Sequence, residues 1–236
     1  MTIKGLKGGH SGADIHLGLG NANKLLARFL FEQAKDLDLR VLDLNGGTLR
    51  NAIPREGHVT LAVAADKVEQ LKKLSQNYLA TLKDELIAVE KNLTLVLEPV
   101  STETKALTKE TQQRFVALLN ATPNGVIRMS DAVKGVVETS LNVGVVTMNE
   151  HEAEIVCLIR SLIDSGKDYV ASMLTAIGEL AGAKTSPSGG YPGWQPDPTS
   201  PVMALVRETY QNCSTKRLTS WLSMPVWNVV CSKTLS

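Results

Sequence analysis

Between residues 2 and 100 the hydrophobic repeat alternates between strand and helix periods, and the order of those changes limits the fold more than any single residue does. TIKGLKG reads as a short strand holding Ile3 and Leu6. NANKLLARFLFEQAKDL repeats Leu25, Leu26, Phe29 and Leu30 at helical spacing behind Asn21, a side chain suited to an N-cap. LRVLDLNGG and HVTLAVAA are strands. The second places Val59, Leu61 and Val63 on one face and runs into the amphipathic helix DKVEQLKKLSQNYLATLKDELIAVEK. LTLVLEPV closes the unit as a further strand. Strand, helix, strand, strand, helix, strand is a split β-α-β order, so the expected class is α+β: an antiparallel sheet with helices packed on one face.

The next helix is KALTKETQQRFVALLNA. KGVVETSLNVGVVTM and EAEIVCLIRSLI then form an expected antiparallel pair joined around Asn149, and a helix follows with Ser165 as its cap and Gly182 near its end. The pattern suits one enlarged sheet better than a duplicated domain. SPSGGYPGWQPDPTSP, with five prolines in sixteen residues, breaks the composition and marks a boundary loop before a helix in PVMALVRETYQ. The composition break ends an expected first unit, 1–190; the further division into 191–211 and 212–236 comes from a resemblance to a known family.

Charge and hydropathy exclude some classes of partner. A net charge of +1 without a Lys/Arg block argues against nucleic acid or a membrane surface. No apolar run approaches the roughly 18 residues of a membrane span, and MTIKGLKGGH has no signal-like apolar segment, so the cytoplasm is the expected compartment. Cys157, Cys213 and Cys231 form no C-x-x-C pair and suit reduced thiols.

The chemistry centres on KGLKGGHSGADIHLGLGNANKLL. A phosphate cradle needs a Lys-Ser/Thr pair or a third glycine after GLGNAN, and neither is present. An autonomous metal centre needs several converging ligands, and the chain has only four histidines. His58, at a strand start, and His151, in a hairpin turn, suit solvent. His10 lies between glycines that let a backbone or ligand approach the imidazole closely, although a structural capping role stays open. Asn51 follows a Gly-Gly turn and precedes Ile53-Pro54, where the pre-proline residue stiffens the loop. Arg160 ends an apolar strand, where a guanidinium is costly to bury unless an anion meets it. A turn asparagine and a snorkelling arginine are the plainer alternatives. Together a histidine, an amide and an arginine would suit a site gripping a carboxylate and a polarised carbonyl oxygen.

These segments carry a resemblance. GLKGGHSG, NGGTLRNAIPRE, KGVVETSLNVGVV, CLIRSLIDSGKDYV and YPGWQPD together resemble the aminoacyl-histidine dipeptidases (peptidase D), bacterial members of the two-zinc aminoacylase and carnosinase group of metallopeptidases. The similarity runs from residue 2 to about residue 211. It implies a cytoplasmic homodimer that hydrolyses dipeptides with C-terminal histidine, carnosine included, with two zinc ions, and a chain corresponding mainly to the lid and dimerisation domain. Carried over by position, His10 matches the lid histidine that helps stabilise the tetrahedral oxyanion. Asn51 and Arg160 match substrate-binding lid residues, the arginine suiting the terminal carboxylate.

The resemblance also implies that the first metal ligands and the catalytic glutamate lie upstream of GLKGGHSG, so no metal ligand is assigned within this chain. An inactive lid fragment that only folds and dimerises is the alternative expectation. From Cys213, CSTKRLTSWLSMPVWNVVCSK departs from the family and suits no helix or strand. Reading its coding bases one position earlier permits Leu-Phe-Asn-Lys-Thr-Pro-Asn-Ile-Met-Val-Ile-His-Ala-Gly-Leu-Glu-Cys-Gly-Leu-Phe-Lys, which closely resembles the family's next segment. The expectation is a frameshift near Asn212, with residues 212–236 an out-of-frame tail whose apolar side chains lack a designed partner. Sequencing the coding DNA around Asn212 tests it, and an intact frame there would overturn it.

Overall fold

The computed structural model describes residues 1–33, 37–194, 199–202, 204–205, 208–209, 229–232 and 234–235. The first unit follows the hydrophobic periods: β1 (Thr2–Lys4), β2 (Gly9–His10), α1 (Ala22–Arg28), β3 (Arg40–Gly46), β4 (Ala52–Ile53), β5 (Gly57–Ala62), α2 (Val68–Glu85) and β6 (Thr94–Val96). Then come α3 (Lys109–Ala121), β7 (Gly125–Met129), β8 (Val137–Met148), β9 (Ala153–Ser161), α4 (Asp164–Leu180), β10 (Ser186–Ser188), β11 (Val229–Ser232) and β12 (Thr234–Leu235).

Ten strands join in one sheet of order β10-β11-β9-β8-β3-β5-β1-β6, with β7 also on β8 and β12 on β9, and each pair is antiparallel. The second half thus extends the first sheet rather than repeating it. α1 begins as its sequence dictates, the Asn21 side chain accepting the Lys24 amide at 3.3 Å. It passes into a wider π turn over Phe29–Gln33. Leu26 and Phe29 from that helix, Tyr78 and Leu82 from α2, Phe115 and Leu119 from α3, and Val170 and Leu174 from α4 pack into a single core with the sheet. Each large buried side chain there contributes about 1.5–3 kcal/mol.

α1 is tied to α3 by charge as well as packing. Lys24 Nζ donates to the carbonyls of Leu119, Asn120 and Thr122 at 2.7, 2.7 and 2.6 Å, closing the C-terminal end of α3. Burial lowers the ammonium pKa to about 8.

Strand alternation creates the second face. Leu141 and Val143 of β8 and Cys157 and Ile159 of β9 belong to the helix-side core, so Ser140, Asn142, Leu158 and Arg160 face the other way. Register pairs Ser140 with Arg160 and Asn142 with Leu158. All four are buried, the three polar ones included. That face is covered by the loops on either side of a small two-stranded ribbon, β2 with β4.

Several local expectations change. The cap of α4 is extended Ile163, two residues before Ser165, and the Asp164 carboxylate accepts the Gly193 amide at 2.9 Å and Lys167 Nζ at 2.7 Å in the first turn. The ribbon and β7 were not legible as strands, being short or interrupted by a register shift. Asn149 does close the β8–β9 hairpin, its Oδ1 accepting the amides of His151 and Glu152. His58 and His151 are exposed.

Part of the C-terminal stretch that suited no element is strand: β11 pairs with β9 and β10, and β12 with β9. Of the residues on which the expectation of an unpartnered tail rests, Trp221, Leu222, Val226 and Trp227 lie outside the described residues, while Val229 and Val230 pair through β11 with Ile159 and Leu158 of β9.

Candidate functional site

The ribbon brings His10 to the sheet. Gly9 pairs with Ile53 and His10 with Ala52. A Cβ on Gly9 would stand 2.9 Å from the side chain of Asp14, so only glycine lets this turn close. The His10 amide donates to Asp14 Oδ2 at 2.8 Å and the Asp14 amide to the His10 carbonyl at 3.0 Å.

This tight turn sets the imidazole's tautomer. His10 Nδ1 accepts the amide of Ala13 at 3.1 Å and, more weakly, that of Gly12 at 3.4 Å. An accepting Nδ1 leaves the proton of the neutral ring on Nε2. Burial, with the Arg160 charge adding to it, holds the His10 pKa below the ordinary histidine value, and Asp14 opposes them. His10 is thus a neutral ring with an Nε2–H donor.

Arg160 lies beside it. Its side chain is 5% exposed, and its Nε donates to Ser11 Oγ at 3.0 Å. Nη2 is 3.4 Å from His10 Nε2. With hydrogen on both atoms this approach is not a hydrogen bond but two donors side by side. Nη1 is buried without a partner, and among the described residues no carboxylate pairs with this guanidinium. Burial pulls its pKa to about 10, so it stays charged at neutral pH.

Asn51 is exposed, and its position is held through its backbone. Its carbonyl accepts the Ser11 amide at 2.9 Å. On either side, the carbonyls of Arg50 and Ala52 accept Asn142 Nδ2 at 2.9 and 2.8 Å. Gly144 lets the loop lie this close, since a Cβ there would be 2.6 Å from Arg50 Cα. The His10 loop is fastened at its neck by Glu90, whose carboxylate accepts the Lys7 amide at 2.7 Å and the Gly20 amide at 2.8 Å.

The three candidate residues are therefore gathered from three segments onto one face. Ser11, Asn142 and Glu90, which gather them, were not singled out in the sequence. Asn142 left a trace, a polar residue amid the apolar run of β8. Ser11 was hidden by its neighbour. Glu90 had no signal, because it meets residues 83 and 70 positions away. A cleft of about 520 Å³ runs past Lys7, Gly47, Leu49 and Arg55 but is not lined by His10 or Arg160, so the charged cluster marks the site better than the concavity does.

The cluster offers donors and positive charge and suits an anionic oxygen. It does not suit a metal ion. His10 Nδ1 is occupied by amides, a guanidinium flanks Nε2, and among the described residues no three His, Cys, Asp or Glu side chains converge.

Comparison with known proteins agrees with the fold. Residues 1–90 match the M20 peptidase dimerisation domain. The chain is 66% identical over 216 residues to the cytosol non-specific dipeptidase of Escherichia coli K12, an alignment covering 92% of this chain and 44% of that protein. It superposes on the crystal structure of aminoacylhistidine dipeptidase from Vibrio alginolyticus with a TM-score of 0.86 and 53% identity, covering 91% of this chain and 44% of that one. The chain spans less than half the length of these relatives. Residues 1–90 are thus similar to a peptidase dimerisation domain, and over the stretch it spans the chain is similar to these two dipeptidases.

Proposed function

We propose that this chain is the substrate-gripping lid of a metal-dependent dipeptidase that cleaves Xaa-His dipeptides of the carnosine type. The observation that supports it is the pair of adjacent donors, His10 Nε2–H and the Arg160 fork with its unpartnered Nη1, with no carboxylate among the described residues paired to the guanidinium. Arg160 takes the substrate's terminal carboxylate, Asn51 binds the peptide, and His10 donates to the oxyanion of the tetrahedral intermediate. Two preorganised donors in a partly buried site favour the charge that develops as water adds to the carbonyl.

Zinc, implied by the resemblance, finds no fitting ligand set among the described residues, so the steps assigned to this chain are binding and charge stabilisation alone. The match to a dimerisation domain supports a homodimer, and the relative's cytosolic name supports the cytoplasm. A second reading, a non-catalytic lid that folds and dimerises, is favoured by that same lack of clustered ligands.

Dipeptide binding by the purified 236-residue chain separates the two readings, since the second requires none. Carnosine binding, followed by calorimetry, tests the grip directly. Arg160→Ala is expected to weaken it at least tenfold, and equal affinity in wild type, Arg160→Ala and His10→Ala would overturn the proposal.

A further inference from the structure

His10, Asn51 and Arg160 come from segments far apart in sequence, and a single buried residue adjoins all three. Ser11 is 1% exposed. It follows His10 in the chain, its amide donates to the Asn51 carbonyl at 2.9 Å, and its hydroxyl oxygen accepts Arg160 Nε at 3.0 Å.

The last contact decides where the guanidinium points. An arginine fork is planar, so fixing Nε fixes the directions of Nη1 and Nη2 together. Nothing else described in the structure does so: Nη1 has no partner, and Nη2 faces another donor, His10 Nε2. Two donors 3.4 Å apart repel unless an acceptor lies between them, so the side chain needs a separate hold to stay there. Ser11 Oγ supplies it from behind.

We propose that Ser11 is a positioning residue, whose buried hydroxyl aims the Arg160 fork beside the His10 Nε2–H while its amide holds Asn51 alongside. The proposal rests on the reading of these three residues as the substrate grip. Ser11 is itself shielded from ligand and acts through Arg160.

The test uses the full chain and two NMR signals, the hydrogen exchange of Arg160 Nε–H and the titration of the His10 ring. The groups facing that ring are Arg160, which lowers its pKa, and Asp14, which raises it. Ser11→Ala is expected to speed Nε–H exchange at least tenfold, to move the His10 pKa up toward the ordinary value, and to weaken carnosine binding several-fold. Ser11→Thr, which keeps the hydroxyl, is expected to restore all three. Both NMR signals unchanged in Ser11→Ala would overturn the proposal.

Arg160→Lys probes the same contact from the other side, keeping the charge but lacking the Nε–H, and it decides the matter if Ser11→Ala does not fold. It should raise the His10 pKa and lose carnosine affinity, and retention of both wild-type values would overturn the proposal. If carnosine binds wild type and Arg160→Ala alike, the reading of the grip fails, while the NMR pair still decides whether Ser11 aims the arginine.

Discussion

His10 Nε2 and Arg160 Nη2 stand 3.4 Å apart, each carrying hydrogen, with no acceptor from the described residues paired to both. Burial, with the Arg160 charge adding to it, favours the neutral imidazole, and that has a consequence for stability against pH. The folded pKa of His10 is below the unfolded value of about 6.5, so between the two values the unfolded chain binds the extra proton. Stability from this group is complete above about pH 6.5 and is lost as pH falls through the window down to the folded pKa. Urea midpoints measured from pH 7.5 downward should therefore fall less steeply in His10→Asn than in wild type. Parallel slopes would refute the link.

Glu90 clasps both ends of the loop that presents His10. Glu90→Gln keeps the shape but turns an NH2 group toward one of the two amides, leaving a buried donor unpaired. A loss of about 2 kcal/mol is expected. Faster amide exchange at Lys7 or Gly20 should accompany it, which a change confined to the α2 region would not produce.

Gly144 lies under the loop that carries Asn51, and a methyl group there meets the Arg50 backbone at 2.6–2.7 Å. Gly144→Ala is expected to cost about 2 kcal/mol through overpacking. Because the loop must lift from Asn142, carnosine binding should weaken as well. An unchanged midpoint in thermal melts would show that the loop yields freely.

Lys24→Met removes the ammonium from three α3 carbonyls while keeping an unbranched apolar stem. Stranding those acceptors is expected to cost about 2 kcal/mol, read as a lower denaturation midpoint with carnosine affinity per folded molecule unchanged.

Legibility in the sequence followed the range of the interaction. The α1 cap at Asn21, the Asn149 hairpin and the main strand and helix periods depend on residues within a few positions of one another, and the structure has them. The cap of α4 was misplaced, and Asp164 in its first turn gains its partner Gly193 from a loop 29 residues on. His10, Asn51 and Arg160 stood out because a histidine among glycines and an arginine in an apolar strand are costly choices without a use. Ser11 and Glu90 did not, being ordinary polar residues whose importance lies in partners up to 149 positions away.

By itself the sequence determined the class and the order of the main elements, since hydrophobic period and local capping are written in adjacent side chains, and it singled out His10, Asn51 and Arg160 as candidates. The tertiary structure alone decided that these residues meet on the sheet face opposite the helices, that the His10 proton resides on Nε2, and that Ser11 ties the cluster together. Those outcomes depend on strand register and on buried hydrogen bonds, which exist only once distant segments have been brought within 3 Å of each other.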